Sequence, residues 1–412
     1  MNGSTQQSSG TPADKTAVGA PIDRVDGRLK VMGKARYAAE FRPTGLVHCV
    51  AVQSTIAKGT IAAIDSAAAR GAPGVLAVLT HENAPKLKSL KGGDPSSGHA
   101  GEDLPALSGT EIHFAGQYVA LVVAEKLESA RRAAALVRVS YREEKPVLEI
   151  ADAESSATYP QKNMGRDVQH KRGDAATALS APGAVLHEAT YTTPVETHNP
   201  MELSATIAEW LGDRLTVWDA TQAVIGASSS LAKAFGIPRK NVHVICPYVG
   251  GGFGCKGSQW THTFAAAMAA AAVKRPVSLV VSRSQMFTSV GHRPPTIQKI
   301  ALAADQSGKL TAIRHESTSP TSPVTDYIEA CGKNSSAMLY ACENADIPQR
   351  LVRVNVAAPT FMRAPGESPG TYAIESAMEE LAVALGMDPI ELRLRNNADV
   401  NTSDGKPCRR NA

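Results

Sequence analysis

The chain has 412 residues, 43% of them hydrophobic and 20% charged, with 43 basic against 39 acidic side chains and a net charge of +4. That length has room for several domains, and a charge so evenly balanced argues against nucleic acid or an anionic membrane surface as a partner. No apolar run approaches the roughly 18 residues of a helical membrane span, and the six cysteines form no CxxC pair, so neither an iron–sulfur cluster nor a structural zinc is expected on this chain.

Residues 1–20 are polar, lack the apolar segment of a signal peptide and read as a disordered tail. From 21 to 150, β-branched runs alternate with alanine-rich windows. LVHCVAVQST, TIAAID, GVLAVLT, YVALVVAE and VRVSYRE read as strands, and SAAARGA and ESARRAAALV as helices. The stretch HENAPKLKSLKGGDPSSGHAGEDLP between them reads as a solvated loop. Residues 151–183, rich in small and polar residues with Gly and Pro at intervals, read as a linker.

A second domain, 184–412, opens on the strand AVLHEATYTT. LSATIAEW and RLTVWDA should pair across the Gly212-Asp213 turn, and TQAVIGASSSLAKAF should form a helix stopped by Gly236 and Pro238. VHVICPYV reads as a strand over 242–249, and HTFAAAMAAAAV lies in a helix-forming run that begins at Ser258. Further on come the strand PVSLVVS and a hairpin turning at Asp305 to Lys309. RLVRVNVAAP reads as a strand. TYAIESAMEELAVALG reads as a helix with Met378, Leu381 and Leu385 on its core stripe, and DPIELRLRNN as a helix capped by Asp388. The chain is therefore of mixed α/β class.

Between the strand at 242 and the helix-forming run lie Gly250, Gly251, Gly252 and Gly254 around a single Phe253. Strand, glycine turn and helix start together bring backbone N–H groups toward an anionic or strongly accepting ligand, and glycine permits both close approach and positive φ. Two nucleotide loops can be set aside. Lys256 is followed by Gly257, not by the hydroxyl a P-loop needs, and no Asp or Glu occurs from Ser258 to Ser282, where a dinucleotide site would carry its ribose-binding acid. Three further loops carry chemistry-bearing residues. THNPME holds His198, Asn199 and Glu202. Gln222 sits where a strand gives way to a helix, with an amide able to donate to a ligand. FMRAPGESPG places Arg363 for a bidentate anion contact. Each also has an ordinary structural reading: His198 as a hydrogen-bonder, Arg363 as a loop pin, and Glu367 as a helix N-terminal carboxylate.

Taken together, DRVDGRLKVMGKARYAAE, THNPMELSATIAEW, LTVWDATQ, PYVGGGFGCKG, HRPPT, MRAPGESPGTYAIESAMEELA and ELRLRNN resemble the large, molybdopterin-binding subunit of the xanthine dehydrogenase / aldehyde oxidase family. The RAPGE form and the STIAKGTI piece look most like bacterial periplasmic aldehyde oxidoreductase large subunits of the three-subunit kind. The resemblance implies an α/β-hammerhead domain over 21–150, followed by the first part of a molybdenum-cofactor-binding domain. It implies that Gln222 meets the apical oxo group, that Gly251, Gly252, Phe253 and Gly254 cradle the cofactor, and that Arg363 and Ala364 flank it. The metal is then held by the pterin dithiolene, in its cytosine dinucleotide form, with no protein ligand. The implied reaction is hydroxylation of an aldehyde or N-heterocycle with water as oxygen source. Electrons leave through [2Fe–2S] clusters and FAD on partner subunits, in the cytoplasm, or in the periplasm if a partner carries the export signal.

The chain departs from the family pattern at two places. Gly257 stands where purine-oxidising members carry a glutamate, which favours an aldehyde and makes Gly257 and Pro365 candidates for the substrate pocket; Cys255 beside it replaces a glycine. Family large subunits are also roughly twice this length, and the glutamate base is expected in the part not present. No catalytic residue is therefore assigned, and a complementing C-terminal half is an expected partner. The alternative is a non-catalytic relic of the fold or an assembly protein.

Overall fold

The computed structural model describes residues 19–88, 101–401 and 405–407. The expected tail lies almost wholly outside the described residues, as does the middle of the polar loop read after residue 80. Two units separate between Arg36 and Tyr37. In the first, a short helix, Gly27–Val31, follows Asp26, whose carboxylate takes Arg24 Nε at 3.1 Å and Lys30 Nζ at 2.5 Å.

The second unit is mixed α/β. Its early part carries β1 (Val47–Gln53), β2 (Gly59–Asp65), β3 (Val75–Thr80), β4 (Glu111–Ile112), β5 (Tyr118–Ala124) and β6 (Arg138–Glu143). Strands β4, β2 and β6 form a small antiparallel sheet. Strand β5, YVALVVA, is apolar on both faces because both are covered. Leu121 and Val123 enter the main core, while Ala120 and Val122 pack with Ala133 on the other side.

Residues 151–183 are more than a linker. They hold the hairpin β7 (Lys162–Asn163) and β8 (Arg166–Asp167), then β9 (His170–Arg172). Their polar side chains stitch the passage to later strands: Gln169 Nε2 donates to Gln349 O at 2.9 Å and Arg172 Nε to Cys342 O at 2.7 Å.

The rest supplies β10 (Val185–Thr193), β11 (Ala205–Leu211), β12 (Arg214–Asp219), β13 (Val242–Ile245), β14 (Val277–Val280), β15 (Thr296–Ala304), β16 (Leu310–Thr321), β17 (Asn344–Ile347) and β18 (Gln349–Arg353). Strand β13 is shorter than its apolar run, ending before Pro247, which has no N–H for a ladder. The helix after the glycine loop begins at Thr261 and is buried all round through Ala270, its alanines allowing close approach to the sheet. A second helix, Glu367–Leu385, starts four residues before the run that suggested it, on Gly366 at φ 77. Met378 and Leu381 are fully buried on it, and Leu385 only partly.

One seven-stranded sheet, in the order β13-β12-β11-β14-β1-β5-β3, draws strands from both sides of the 151–183 passage. The junction is the parallel pairing of β1 with β14, Val47 opposite Val277 and Cys49 opposite Leu279. A second sheet runs β10-β15-β16-β17-β9, with β18 also on β16. The seven-stranded sheet decides where the loops meet. Strands β12 and β13 are parallel neighbours, so the loops leaving their C-terminal ends, to Gln222 and to the glycines, share one edge. Strand β11 is antiparallel to β12, which brings its preceding loop, 197–204, to the same edge. Ligands of open α/β sheets commonly bind at such carboxyl ends.

Beside this core, Glu102 is only 6% exposed and accepts a hydrogen bond from Thr261 Oγ1 at the start of the buried helix. Burial raises its carboxyl from 4.5 to about 7. Its pKa in the fold is the higher one, so its contribution is complete below pH 4.5 and is lost as pH rises through 7. Glu102→Gln should flatten the fall in stability across that window by up to about 3 kcal/mol, read by urea unfolding at pH 5, 6 and 7.5. Parallel pH profiles for the two proteins would contradict the assignment.

Candidate functional site: a two-loop cradle

The glycine loop turns on positive φ at Gly251 (93°), Phe253 (54°) and Gly254 (118°). Phenylalanine in the left-handed region is uncommon and holds only when its surroundings enforce it. At Gly254 a Cβ would lie 2.3 Å from Phe361 O, and at Gly252 it would lie 2.4 Å from Gln222 Oε1. The N–H groups of Gly251, Gly252 and Phe253 have no hydrogen-bond acceptor among the described residues. Three successive free amides on a turning backbone form a nest for an anion or acceptor oxygen. Gln222 stands against this nest. Its Oε1 accepts from Gly254 N at 3.1 Å, which leaves its Nε2 as an uncommitted donor on an exposed side chain.

What holds the loop is an ion pair. Lys256, whose side chain is 1% exposed, places Nζ 2.7 Å from Glu202 Oε2 and 3.0 Å from Glu202 O. The same Oε2 accepts from Gly250 N at 2.7 Å, and Glu202 N returns a bond to Gly250 O at 3.0 Å. The Lys256 carbonyl takes Gln222 N at 2.7 Å and Thr221 Oγ1 at 3.2 Å. One residue thus ties the 197–204 loop, the glycine loop and the Gln222 loop together.

The second loop, 361–366, meets the first through Arg363 N, which donates to Phe253 O at 2.8 Å. Its own shape is set from below. Arg293, 4% exposed, donates to Arg363 O at 2.5 Å and Met362 O at 3.1 Å, with Glu196 Oε2 at 2.6 Å. Glu329 accepts from Gly366 N at 2.6 Å and from Tyr327 OH at 2.6 Å. Burial raises the Glu329 carboxyl despite these bonds. His198 Nε2 donates to Phe361 O at 3.0 Å, and burial lowers its pKa and keeps it neutral.

Gln222, Gly251, Gly252, Phe253, Gly254, Arg363 and Ala364 come together around the two loops. Ala364 sits at φ 58°. The Arg363 guanidinium is exposed and makes no hydrogen bond or ion pair among the described residues, so it does not pin its loop; Arg293 does. Pro365 lines an open cleft of about 370 Å³, whereas Gly257 lies under the Phe361 ring, where a Cβ would come within 2.8 Å of Cε2. Cys255 keeps an ordinary negative φ and turns its thiol inward onto Gly252 O at 3.1 Å, with burial pushing it up to about 11. The sequence reading missed the roles of Lys256, Arg293 and Glu329. A buried cation beside a glycine run was the available signal for the first, but the partners of all three lie far away in the chain.

Residues 157–397 match the model of the molybdopterin cofactor-binding domain, and residues 32–145 match that of the aldehyde oxidase and xanthine dehydrogenase a/b hammerhead domain. The chain belongs to the aldehyde oxidase and xanthine dehydrogenase family. It is 41% identical over 394 residues to the aldehyde oxidoreductase molybdenum-binding subunit PaoC of Escherichia coli (strain K12), an alignment covering 95% of this chain and 52% of that one. It is 31% identical over 401 residues to the putative xanthine dehydrogenase molybdenum-binding subunit XdhA of the same strain, covering 93% and 52%. The crystal structure of the aldehyde oxidoreductase from Desulfovibrio desulfuricans ATCC 27774 superposes with a TM-score of 0.84 at 24% identity, covering 96% of this chain and 46% of that chain. Quinoline 2-oxidoreductase from Pseudomonas putida 86 gives 0.81 at 24%, covering 93% and 50%. These two likenesses establish the fold. The chain spans about half the length of the curated relatives it matches.

The ion pair predicts an asymmetric mutational response. Lys256→Met, which strands a buried carboxylate, should destabilise the protein by about 3–5 kcal/mol, and Glu202→Leu added to it should recover part of that loss. Equilibrium unfolding of the single and double variants checks this. Strict additivity would mean the two groups do not act together. At the glycines, Gly254→Ala meets a backbone carbonyl and should lower Tm. Gly252→Ala meets only the end of Gln222 and should leave Tm near that of the parent.

Proposed function

We propose that this chain holds one face of the molybdenum–molybdopterin group of a hydroxylase that oxidises aldehydes to acids, with N-heterocycles as the second substrate class. The observation that carries the reading is the cradle. Three free backbone N–H groups, the uncommitted Gln222 amide and the unpaired Arg363 guanidinium lie on or against the two loops, while Lys256, Glu202, Arg293 and Glu329 beneath them are bonded to the loop backbone. These residues fit an anionic, oxygen-rich group. Among the described residues, no cluster of three or more His, Cys, Asp or Glu could hold a bare metal ion.

In this reading the Gly251–Phe253 amides and Arg363 bind acceptor oxygens of the cofactor, and Gln222 Nε2 donates to an oxo group. When bound, the cofactor supplies oxygen transfer and takes up the electrons of the substrate. The chain contributes placement: the amides are fixed before the ligand arrives, so little reorganisation accompanies binding. Cys255 stays protonated and turned away. No carboxylate stands at Gly257 to anchor a purine, and the Phe361 ring covers that position, which supports an aldehyde. Gln222, Phe253, Arg363, Ala364 and Pro365 are all exposed, so the opposite face of the cofactor must be covered by further polypeptide, and we expect no turnover by this chain alone. That polypeptide, or a complementing chain, would carry the base. Electrons would pass to iron–sulfur and FAD subunits, and the pterin would be the cytosine dinucleotide form.

Protein purified from a molybdenum-replete host should carry molybdenum and release a cytosine nucleotide on acid treatment. Arg363→Ala, which removes a charged contact, should retain about tenfold less molybdenum at unchanged fold. Gly252→Ala, which displaces Gln222, should also retain less. Folded protein without molybdenum, or equal retention in parent and variants, would overturn the reading.

A further inference from the structure

A small cavity of about 20 Å³ lies against residues 104–109 and shares no residue with the cradle. It has room for a single water-sized occupant. Four buried side chains from separate elements line it: Glu102, Tyr118 at the start of β5, Thr261 at the first position of the buried helix, and Ser289 at the end of the helix Arg283–Ser289. Two of the hydroxyls have already spent their proton. Thr261 Oγ1 donates to Glu102, and Ser289 Oγ donates to Gln285 O at 2.7 Å, so both have only lone pairs left to offer. Tyr118 OH is shielded from solvent and has no hydrogen-bond partner. Glu102 and Ser289 both act on its ionisation, which places the hydroxyl end of the ring beside them. Leu107 turns the neighbouring chain at φ 52°, and none of the carbonyls from Leu104 to Gly109 accepts a hydrogen bond among the described residues. Nothing cationic acts on Glu102: burial and the Thr261 hydrogen bond alone set its ionisation.

We propose that this cavity binds one monovalent cation of the size of potassium or ammonium, held by the Glu102 carboxylate, the hydroxyl oxygens of Tyr118, Thr261 and Ser289, and carbonyl oxygens of residues 104–109. An all-oxygen lining suits a hard cation. One carboxylate supplies one negative charge, which matches a monovalent ion and leaves a divalent ion half-neutralised in a buried place. Potassium and ammonium are close to water in size, so either fits the space. A water molecule fits too, but it brings no charge and leaves the buried carboxylate uncompensated. The bound ion joins the 101–109 segment to β5 and to the first turn of the buried helix, groups that lie about 160 positions apart in the chain. It also competes with protons. A cation holds Glu102 ionised, and protonation of Glu102 expels the cation, so potassium opposes the loss of stability that rising pH brings to this carboxyl.

Thermal unfolding of the purified chain at pH 8, in potassium chloride against choline chloride at equal ionic strength, tests the site, and the readout does not depend on molybdenum. Potassium should raise Tm in a saturable, concentration-dependent way. The effect should vanish at pH 5, because the Glu102 carboxyl sits at about 7 and a proton then takes the place of the cation. Glu102→Gln should give the same Tm in both salts. Tyr118→Phe deletes a hydroxyl that no protein group uses, so it should leave Tm in choline near that of the parent while weakening potassium about tenfold. Crystals grown in rubidium chloride at pH 8 should show an anomalous peak beside Glu102. Equal Tm in the two salts at pH 8, a potassium effect that survives in Glu102→Gln, or rubidium crystals holding only water in the cavity would overturn the proposal.

Discussion

The structure around the cradle depends on one buried ion pair. Lys256 and Glu202 are 54 positions apart, yet their contact fixes the order in which three loops stack. An ammonium with 1% side-chain exposure is costly without its carboxylate, and the carboxylate in turn organises Gly250 N. The pair itself is spent on geometry. It leaves the Gly251–Phe253 amides unsatisfied, which a purely structural loop would avoid. Those unsatisfied donors are what the fold offers to a ligand.

The second loop repeats this division of labour. Arg293 and Glu329 sit beneath it, buried and bonded to its backbone, while Arg363 stands on top with its guanidinium uncommitted. In both loops the supporting charge is hidden and the presenting group is exposed. Such support holds Phe253 and Ala364 at positive φ, where neither residue would rest unaided. The sheet explains why the loops meet at all. Parallel β12 and β13, with antiparallel β11 beside them, bring three connections to one edge.

Much of this was legible in the sequence, and what was not has a common cause. Glycine loops, Gln222 and Arg363 are local signals: backbone freedom and side-chain type are written at the position that uses them. The hairpins β11–β12 and β15–β16 were legible for the same reason, each closed by its own turn. Lys256 in the sequence showed only a P-loop lacking its hydroxyl, and Glu202 only one polar residue of the THNPME loop; their meeting is a tertiary fact. The pairing of β1 with β14 spans some 230 positions, so the sheet joining the early and late parts could not be read from periodicity. Residues 322–343 carry Glu329 in turns with no repeating pattern, and nothing in their composition marked it.

The central claim is that the Gly251–Phe253 amides, Gln222 and Arg363 face a molybdenum cofactor. Crystals of the metal-loaded protein measured on either side of the molybdenum absorption edge test it most directly. The account predicts a single anomalous peak on the exposed side of the two loops, adjacent to the Gln222 amide, with ligand density reaching the glycine-loop N–H groups and Arg363. A peak elsewhere on the chain, or a loaded crystal with none beside Gln222, would contradict it.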